Sequence, residues 1–589
     1  MKLFDILLLF LISKTNAMDY FDLHTHPSLK GGLSTDPQKY NAWEEIKLLR
    51  TLGFLKKFEQ VLNSQATLRQ IEKSAAISVI ALYGLELAFA RNFIFNKVLA
   101  NPKLHITDLD QMILDGIVFD KTTYYQSFKR DVQHLMEAEH FKHFEIVNSY
   151  NDIKQGKVNV ILSVEGAHSF QSVSRNASEK KIHDSIIKNF IRFKNQKDIR
   201  LFHLTLAHLS RQLASVHCFG VKMKKIVDIF PEIEFAPDPA KKGLSDLGKD
   251  IIAAAYDSTH SPLVLIDIKH MSLLSRLQFY ELRAAQGWEH IPIVASHMGV
   301  TGTSYKKDYE IQKIRKDDKT GCSKIFWCAR PGLAHTKFNP WTIGLYDEDI
   351  IAVLKSNGII GVSFDQRIIG EGWIYAELMS PVEVAELGFA ETQNLRGYIE
   401  PVSEEEEEGI YDAFTQNLKR LLTTEAFHNL YDSYFNKDGQ LITDERYRYE
   451  MIYPIDEPEI TVDNNLETAP SHIDYLANNI LHILKTGWQN EYDGANGKAD
   501  VQKSICIGSD LDGLADAMNF PFKKGSQTVN EDDWVTADEY GRMNDELIYS
   551  IDRCKQCDPF FNGKIADTAA LVADIMYHNG IAFLQKNFI

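Results

Sequence analysis

Cysteine is scarce in this chain. Its six cysteines in 589 residues, Cys218, Cys322, Cys328, Cys506, Cys554 and Cys557, are too few and too scattered for a disulfide framework. Such usage suits a reducing compartment, so a cytoplasmic location is the expectation. The one close pair, "CKQC" at Cys554 to Cys557, has no second half at zinc-ribbon spacing and no thioredoxin-like context, and reads as a coincidence on a polar helix or loop. Positive charge is also in deficit: 64 lysines and arginines face 81 acidic residues, a net charge of −17. That balance leaves no basic stripe to neutralise phosphates and excludes nucleic acid as a partner. After the apolar stretch Ile6 to Ile12, no run approaches the roughly 18 apolar residues of a membrane span, so a soluble protein is expected. No internal repeat and no linker-like bias divides the chain.

Residues 1–17, "MKLFDILLLFLISKTNA", have a lysine, a short apolar run and small residues at Thr15 and Ala17, as a signal peptide would. Asp5 interrupts that run, and Met18 reads as a natural start for "MDYFDLHTHP", so an over-extended start is favoured; export is the alternative if the segment is a signal. The full chain is 44% hydrophobic, and residues 18–589 are long enough for one large enzyme domain with insertions.

What the chain does have is short apolar runs that end in chemistry. Besides "YFDLHTH", they are "AISVIALYGLEL" (76–87), "VNVILSVEG" (158–166), "IRLFHLTLAH" (199–208), "PLVLIDIKH" (262–270), "IPIVASH" (291–297), "GIIGVSFD" (358–365) and "SICIGSD" (504–510). Runs this apolar and β-branched are strands buried on both faces. Between them, "LSDLGKDIIAAAYDS" and "LYDEDIIAVLKSNG" read as amphipathic helices. Eight strands alternating with helices predict an α/β fold, a (β/α)8 TIM-type barrel of the metal-dependent hydrolase kind.

His24 and His26 follow the first run, Glu165 the third, His208 the fourth, His270 the fifth, His297 the sixth and Asp510 the eighth. Strand ends of a barrel share its C-terminal rim, where barrel enzymes assemble their sites. A lone strand-end histidine is more often structural than a ligand. A set of imidazoles plus two carboxylates converging on one rim suits a borderline cation such as zinc. Two such ions sharing a carboxylate would acidify water and polarise a carbonyl, which makes hydrolysis the natural reaction class. One carboxylate must then carry the proton from water to leaving group, and Asp510 is the candidate.

The ordered set "DLHTHP", "LSVEGAH", "LTLAH", "LVLIDIKHMS", "PIVASH" and "SHIDYL…ICIGSDLDG" resembles the membrane (renal) dipeptidase family of zinc metallopeptidases, a branch of the amidohydrolase superfamily. The resemblance runs from Asp22 to Asp512, and "DIMYHNGIAFLQ" looks like the family's closing helix. It implies two zinc ions, with His24 and His26 on the more buried one, Glu165 bridging, and His270 and His297 on the second. It implies Asp510 as the acid/base, Asp512 as its structural support, and His208 on the substrate carbonyl and its developing oxyanion. A small peptide or amide substrate and a possible homodimer go with it.

Two departures bear on substrate. The first motif is "HTH" where the family reads histidine-x-aspartate, a change that keeps metal binding. The family also carries an arginine shortly after the second metal histidine to hold the substrate's C-terminal carboxylate; here "ASHMGVTGTSYKKDYE" has lysines instead. Lys306, Lys307, Arg330 and Lys337 are the expected substitutes, supplying charge without the bidentate fork in the case of lysine. Stretches at about 301–340 and 367–465 read as insertions on the rim, with "EEEEE" at Glu404 to Glu408 a solvated helix start or loop. Three functions stay open: a zinc dipeptidase; a related amidohydrolase acting on an N-acyl amino acid, another amide or a lactone; and a binding protein that kept the barrel.

Overall fold

A computed structural model describes residues 20–34, 41–45, 63–91, 96, 100, 107–138, 144–220, 235–370, 376–395, 470–520 and 533–589. The N-terminal segment 1–17, most of the expected insertion at 367–465 and its acidic run lie outside them. Twelve strands are present among the described residues: β1 (Tyr20–Thr25), β2 (Ala75–Tyr83), β3 (Phe144–Ile146), β4 (Val158–Glu165), β5 (Leu201–Thr205), β6 (Leu265–Asp267), β7 (Val294–Met298), β8 (Ile311–Lys316), β9 (Ser323–Trp327), β10 (Ile359–Val362), β11 (Glu377–Met379) and β12 (Ile505–Ile507).

Eight of them pair in parallel in the order β1-β2-β4-β5-β6-β7-β10-β12, and each falls in one of the eight apolar runs. The first and last meet at the rim. Thr25 bridges Leu511 in parallel, His26 N donates to Leu511 O at 3.0 Å, and Asp510 N donates to His24 O at 2.9 Å. Parallel pairing around a ring, with helices in the connections, is the (β/α)8 barrel. β3 only extends the start of β4.

Why these residues form a closed ring is visible in their burial. All side chains of β1, of β4 and of β5 through β7 are buried, as are those of β10 and β12, so both faces of the sheet are dry. At Gly361 and Gly508 the neighbouring strand comes so near that an added Cβ would lie 1.9 and 1.7 Å from the carbonyl oxygen of Ser296. Only glycine fits there.

The helices outside carry the expected stop and start signals. Ser245 caps Asp246–Tyr256 through Gly248 N, and Ser272 caps Leu273–Gln286, which ends on Gly287 in the left-handed region. Ser471 and Asp474 form a capping box on His472–Gln489. The buried Arg276 ties two helices together, with Nε 3.1 Å from Asp349 Oδ1 and Nη2 2.9 Å from Oδ2. Such a pair is satisfied only as a unit.

The stretch expected as an insertion at about 301–340 contains β8 and β9, an antiparallel pair that joins β11 in a separate three-stranded sheet. All six cysteines are free, with Cys554 inside a helix and Cys557 exposed just beyond it. No helix among the described residues is long and apolar enough to cross a membrane.

Candidate metal centre

β1 ends in two alternating positions, and the barrel's tilt turns both His24 and His26 inward. Their Nε2 atoms lie 3.0 Å apart. Glu165, the last residue of β4, places Oε1 3.5 Å from His24 Nε2 and Oε2 3.2 Å from His26 Nε2. The same Oε1 is 3.1 Å from His270 Nε2 and 3.6 Å from His297 Nε2, those two nitrogens are 3.2 Å apart, and the His24 and His297 rings lie 4.0 Å apart. One carboxylate thus stands among four imidazoles.

Two ligands about 2.1 Å from a shared tetrahedral ion lie about 3.4 Å from each other, so these separations fit ion-binding sites on either side of Glu165. Burial holds His24 down to about 4 and His270 down to about 3, and His297 well below its ordinary value, which leaves these rings neutral with lone pairs to share. Burial would raise Glu165, yet His208 and His24 outweigh it and keep the carboxyl well below the usual range. Ser296 Oγ sits 2.8 Å from His297 Nδ1 and fixes that ring.

Asp510 closes the cluster from the β12 side, with Oδ1 3.6 Å from His26 Nε2 and 3.9 Å from His24 Nε2. Its backbone is left-handed at φ 62°, as is that of His270 at φ 65°, Asp512 at φ 66° and Leu514 at φ 65°. Non-glycine residues in this region are strained, and such strain concentrates where side chains are aimed for function. Burial pushes Asp510 up to about 7, with Glu165 and Asp365 adding to the rise and His26 opposing it. Asp512 points away and ties down the N-terminal loops, accepting from Lys30 Nζ at 2.7 Å, Gln65 N at 2.8 Å and Ala66 N at 3.0 Å.

His208, just past β5, presents Nε2 3.4 Å from Glu165 Oε2. Burial would depress it, but Glu165 and Glu86 outweigh that effect and lift it to about 9, a protonated donor at neutral pH. Glu86 accepts also from Tyr83 Oη at 2.8 Å, Ser210 N at 3.1 Å and Gln212 Nε2 at 2.8 Å. Sequence reading ended its second run with this residue in it but assigned it no role. A carboxylate three residues past the end of β2 was the available signal.

The cleft over the cluster has two lobes that share Phe89, His208, Gly513 and Leu514. One is walled by Leu29, Leu33, Leu85 and Leu114 beside His26 and Glu165. The other is walled by Lys269, Asp365, Arg367, His270, Asp510 and Ile343. The structure therefore brings together His24, His26, Glu165, His208, His270, His297 and Asp510. It does not bring the four expected cations to either lobe. Lys306 and Lys307 are exposed, Lys306 Nζ lying 5.4 Å over the Tyr305 ring. Arg330 Nη1 donates to Gly302 O at 2.6 Å, and Lys337 pairs its backbone with Pro331. Lys306 and Lys307 lie in an exposed turn before β8, and the apolar side chains of β8 and β9, not these cations, pack towards the leucines of the cleft.

No family model and no curated protein matches the chain. Solved structures similar to it include a metallo peptidase from Rhodobacter sphaeroides liganded with a phosphinate mimic of the dipeptide L-Ala-D-Ala, at 11% identity over 98% of this chain and 100% of that one, with a TM-score of 0.42. The probable dipeptidase PvdM from Pseudomonas aeruginosa is similar at 13% identity over 97% and 96%, with a TM-score of 0.45. An amidohydrolase from the same organism is similar at 10% identity over 97% of each chain, with a TM-score of 0.40. The barrel assignment rests on this chain's own strand pairing.

Proposed function

We propose that this chain is a metal-dependent hydrolase of amide bonds, and specifically a two-zinc dipeptidase. The observation that carries the reading is Glu165, whose carboxylate lies within 3.6 Å of the Nε2 atoms of His24, His26, His270 and His297. His24, His26 and Glu165 would hold one ion; His270, His297 and Glu165 the other. Bound there, divalent zinc supplies an acidified water and a polarised carbonyl.

The chain's own groups then do the rest. Asp510, lifted towards neutrality by burial, takes the proton of the attacking water and returns it to the departing nitrogen. His208, kept protonated by Glu86 and Glu165, donates from Nε2 to the carbonyl oxygen as negative charge gathers on it. The apolar lobe excludes water from the acyl side.

A second reading, hydrolysis of N-acyl amino acids, is favoured by that same leucine-walled lobe, which suits an uncharged acyl chain. Hydrolysis of L-L, L-D and Gly-D dipeptides, an N-acyl amino acid and a lactone by the zinc-supplemented protein tests both, with Asp510→Asn as control. Dipeptide turnover lost in the variant supports the dipeptidase; turnover of the acyl amino acid alone selects the second reading; unchanged turnover in the variant refutes the role of Asp510.

A further inference from the structure

Lys269 directly precedes His270 and is 1% exposed, yet among the described residues its Nζ has no hydrogen-bond partner. A buried amine without a hydrogen-bond partner is costly, and native structures rarely keep one without a use. It forms part of the wall of the charged lobe, together with Asp510. Arg367 lies in the same wall, but its guanidinium is engaged by Asp365, with Nε 2.8 Å from Oδ1 and 3.0 Å from Oδ2. The guanidinium of Arg367 therefore already has its hydrogen-bond partner, and the Nζ of Lys269 has none.

We infer that Lys269 is the anchor for a substrate carboxylate, so that the substrates of this enzyme are amides whose amine half bears a free carboxylate and whose acyl half is apolar. The inference rests on the hydrolase reading above for the position of the scissile bond. The two halves are assigned by proton flow. Asp510 returns its proton to the departing nitrogen, and Asp510 shares a lobe with Lys269, so the amine half belongs there. The acyl half then lies across His208, in the lobe walled by leucines. A carboxylate reaching Lys269 gives the orphan ammonium a charge-assisted partner in a site screened from water, where such a pair is worth most. Substrates lacking that carboxylate leave the cation unpaired, and it is this unpaired charge that discriminates against them.

The test uses the full-length zinc-loaded protein and a non-hydrolysable phosphinate isostere of a leucyl-alanine dipeptide, as its free acid and as its carboxamide. Calorimetric affinities of both are measured for the wild type, Lys269→Met and Lys269→Arg, with bound zinc determined in each. Kinetics on leucyl-alanine and its C-terminal amide run alongside. We expect the wild type to favour the acid about 100-fold, Lys269→Met to lose that preference through a raised KM with zinc content unchanged, and Lys269→Arg to recover part of it. Equal wild-type affinity for acid and carboxamide overturns the inference without any variant. So does a preference that survives in Lys269→Met. A preference that depends on Lys269, in a protein that binds zinc but turns over neither compound, upholds the anchor and sinks the hydrolase reading instead.

Discussion

Glu86 holds His208 from the side away from the metal centre: Glu86 Oε2 lies 2.7 Å from His208 Nδ1, while Nε2 faces Glu165 Oε2 at 3.4 Å. The imidazole is thereby fixed in orientation and supplied with a counter-charge. Glu86→Gln keeps the shape and removes the charge. It should lower kcat about 10- to 100-fold, with KM and bound metal little changed. A variant with wild-type kcat would mean that His208 needs no such partner.

Asp510→Asn should lower turnover at least about 100-fold, the usual share of a positioned acid/base, while elemental analysis still finds wild-type metal. The measurement separates proton transfer from metal binding, because Asp510 is farther from His24 and His26 than Glu165 is.

Glu165 faces both histidine pairs, so Glu165→Ala should bind less metal than either His24→Ala or His297→Ala, each of which damages one side. Chelation of the wild type should abolish activity and lower stability by about 4 kcal/mol relative to protein in metal at 1,000 times its dissociation constant. Equal metal content in the three variants would refute the shared carboxylate.

Glu383 supplies a pH dependence remote from the centre. Its Oε1 accepts from Gly243 N at 2.8 Å and Ser272 Oγ at 2.6 Å, and burial pushes the carboxyl from 4.5 up to about 7. The folded protein thus holds this proton more tightly than the unfolded chain. Its contribution is full below about pH 4.5 and is lost as pH rises to about 7, a change of about 3 kcal/mol. In Glu383→Gln this part of the decline should vanish, as read from urea unfolding at pH 5 and pH 8.

Gly508→Ala should destabilise the barrel by about 1–3 kcal/mol, since its Cβ would meet backbone rather than a movable side chain. Denaturant midpoints of the variant and the wild type give the value directly.

The barrel was legible in the sequence because strands buried on both faces leave unbroken apolar runs, and each of the eight runs contains a strand of the ring. Of the seven polar residues the structure gathers, His24, Glu165 and His297 lie within strands that the ring itself places, and His26, His208, His270 and Asp510 were legible as the polar ends of the apolar runs. Glu86, Lys269 and Arg367 were less so. Glu86 lies three residues past β2 and Lys269 two past β6, and neither is the polar residue that ends its apolar run, so the pattern alone did not single them out. Lys306 and Lys307 do not line the cleft because they fall in an exposed turn, and sequence proximity to His297 does not say which side of a turn a residue takes. Asp22, which accepts from Ser509 N at 3.0 Å and from Tyr540 Oη, shows the same limit: nothing in its own motif names partners so distant.

The meeting of β1 with β12 also has a temporal side. Asp22 and Ser509 are 487 residues apart, and the hydrogen bonds that seat Asp510 beside His24 are made by the same two ends. Contacts of such separation form only after the intervening chain has ordered, and they make folding slow. During synthesis, which proceeds from the N-terminus, His24 and His26 emerge long before Asp510 exists. The histidines can capture a cation while the group that moves the proton is still unmade. A nascent chain of this protein is therefore expected to be a metal binder first and a catalyst only at completion.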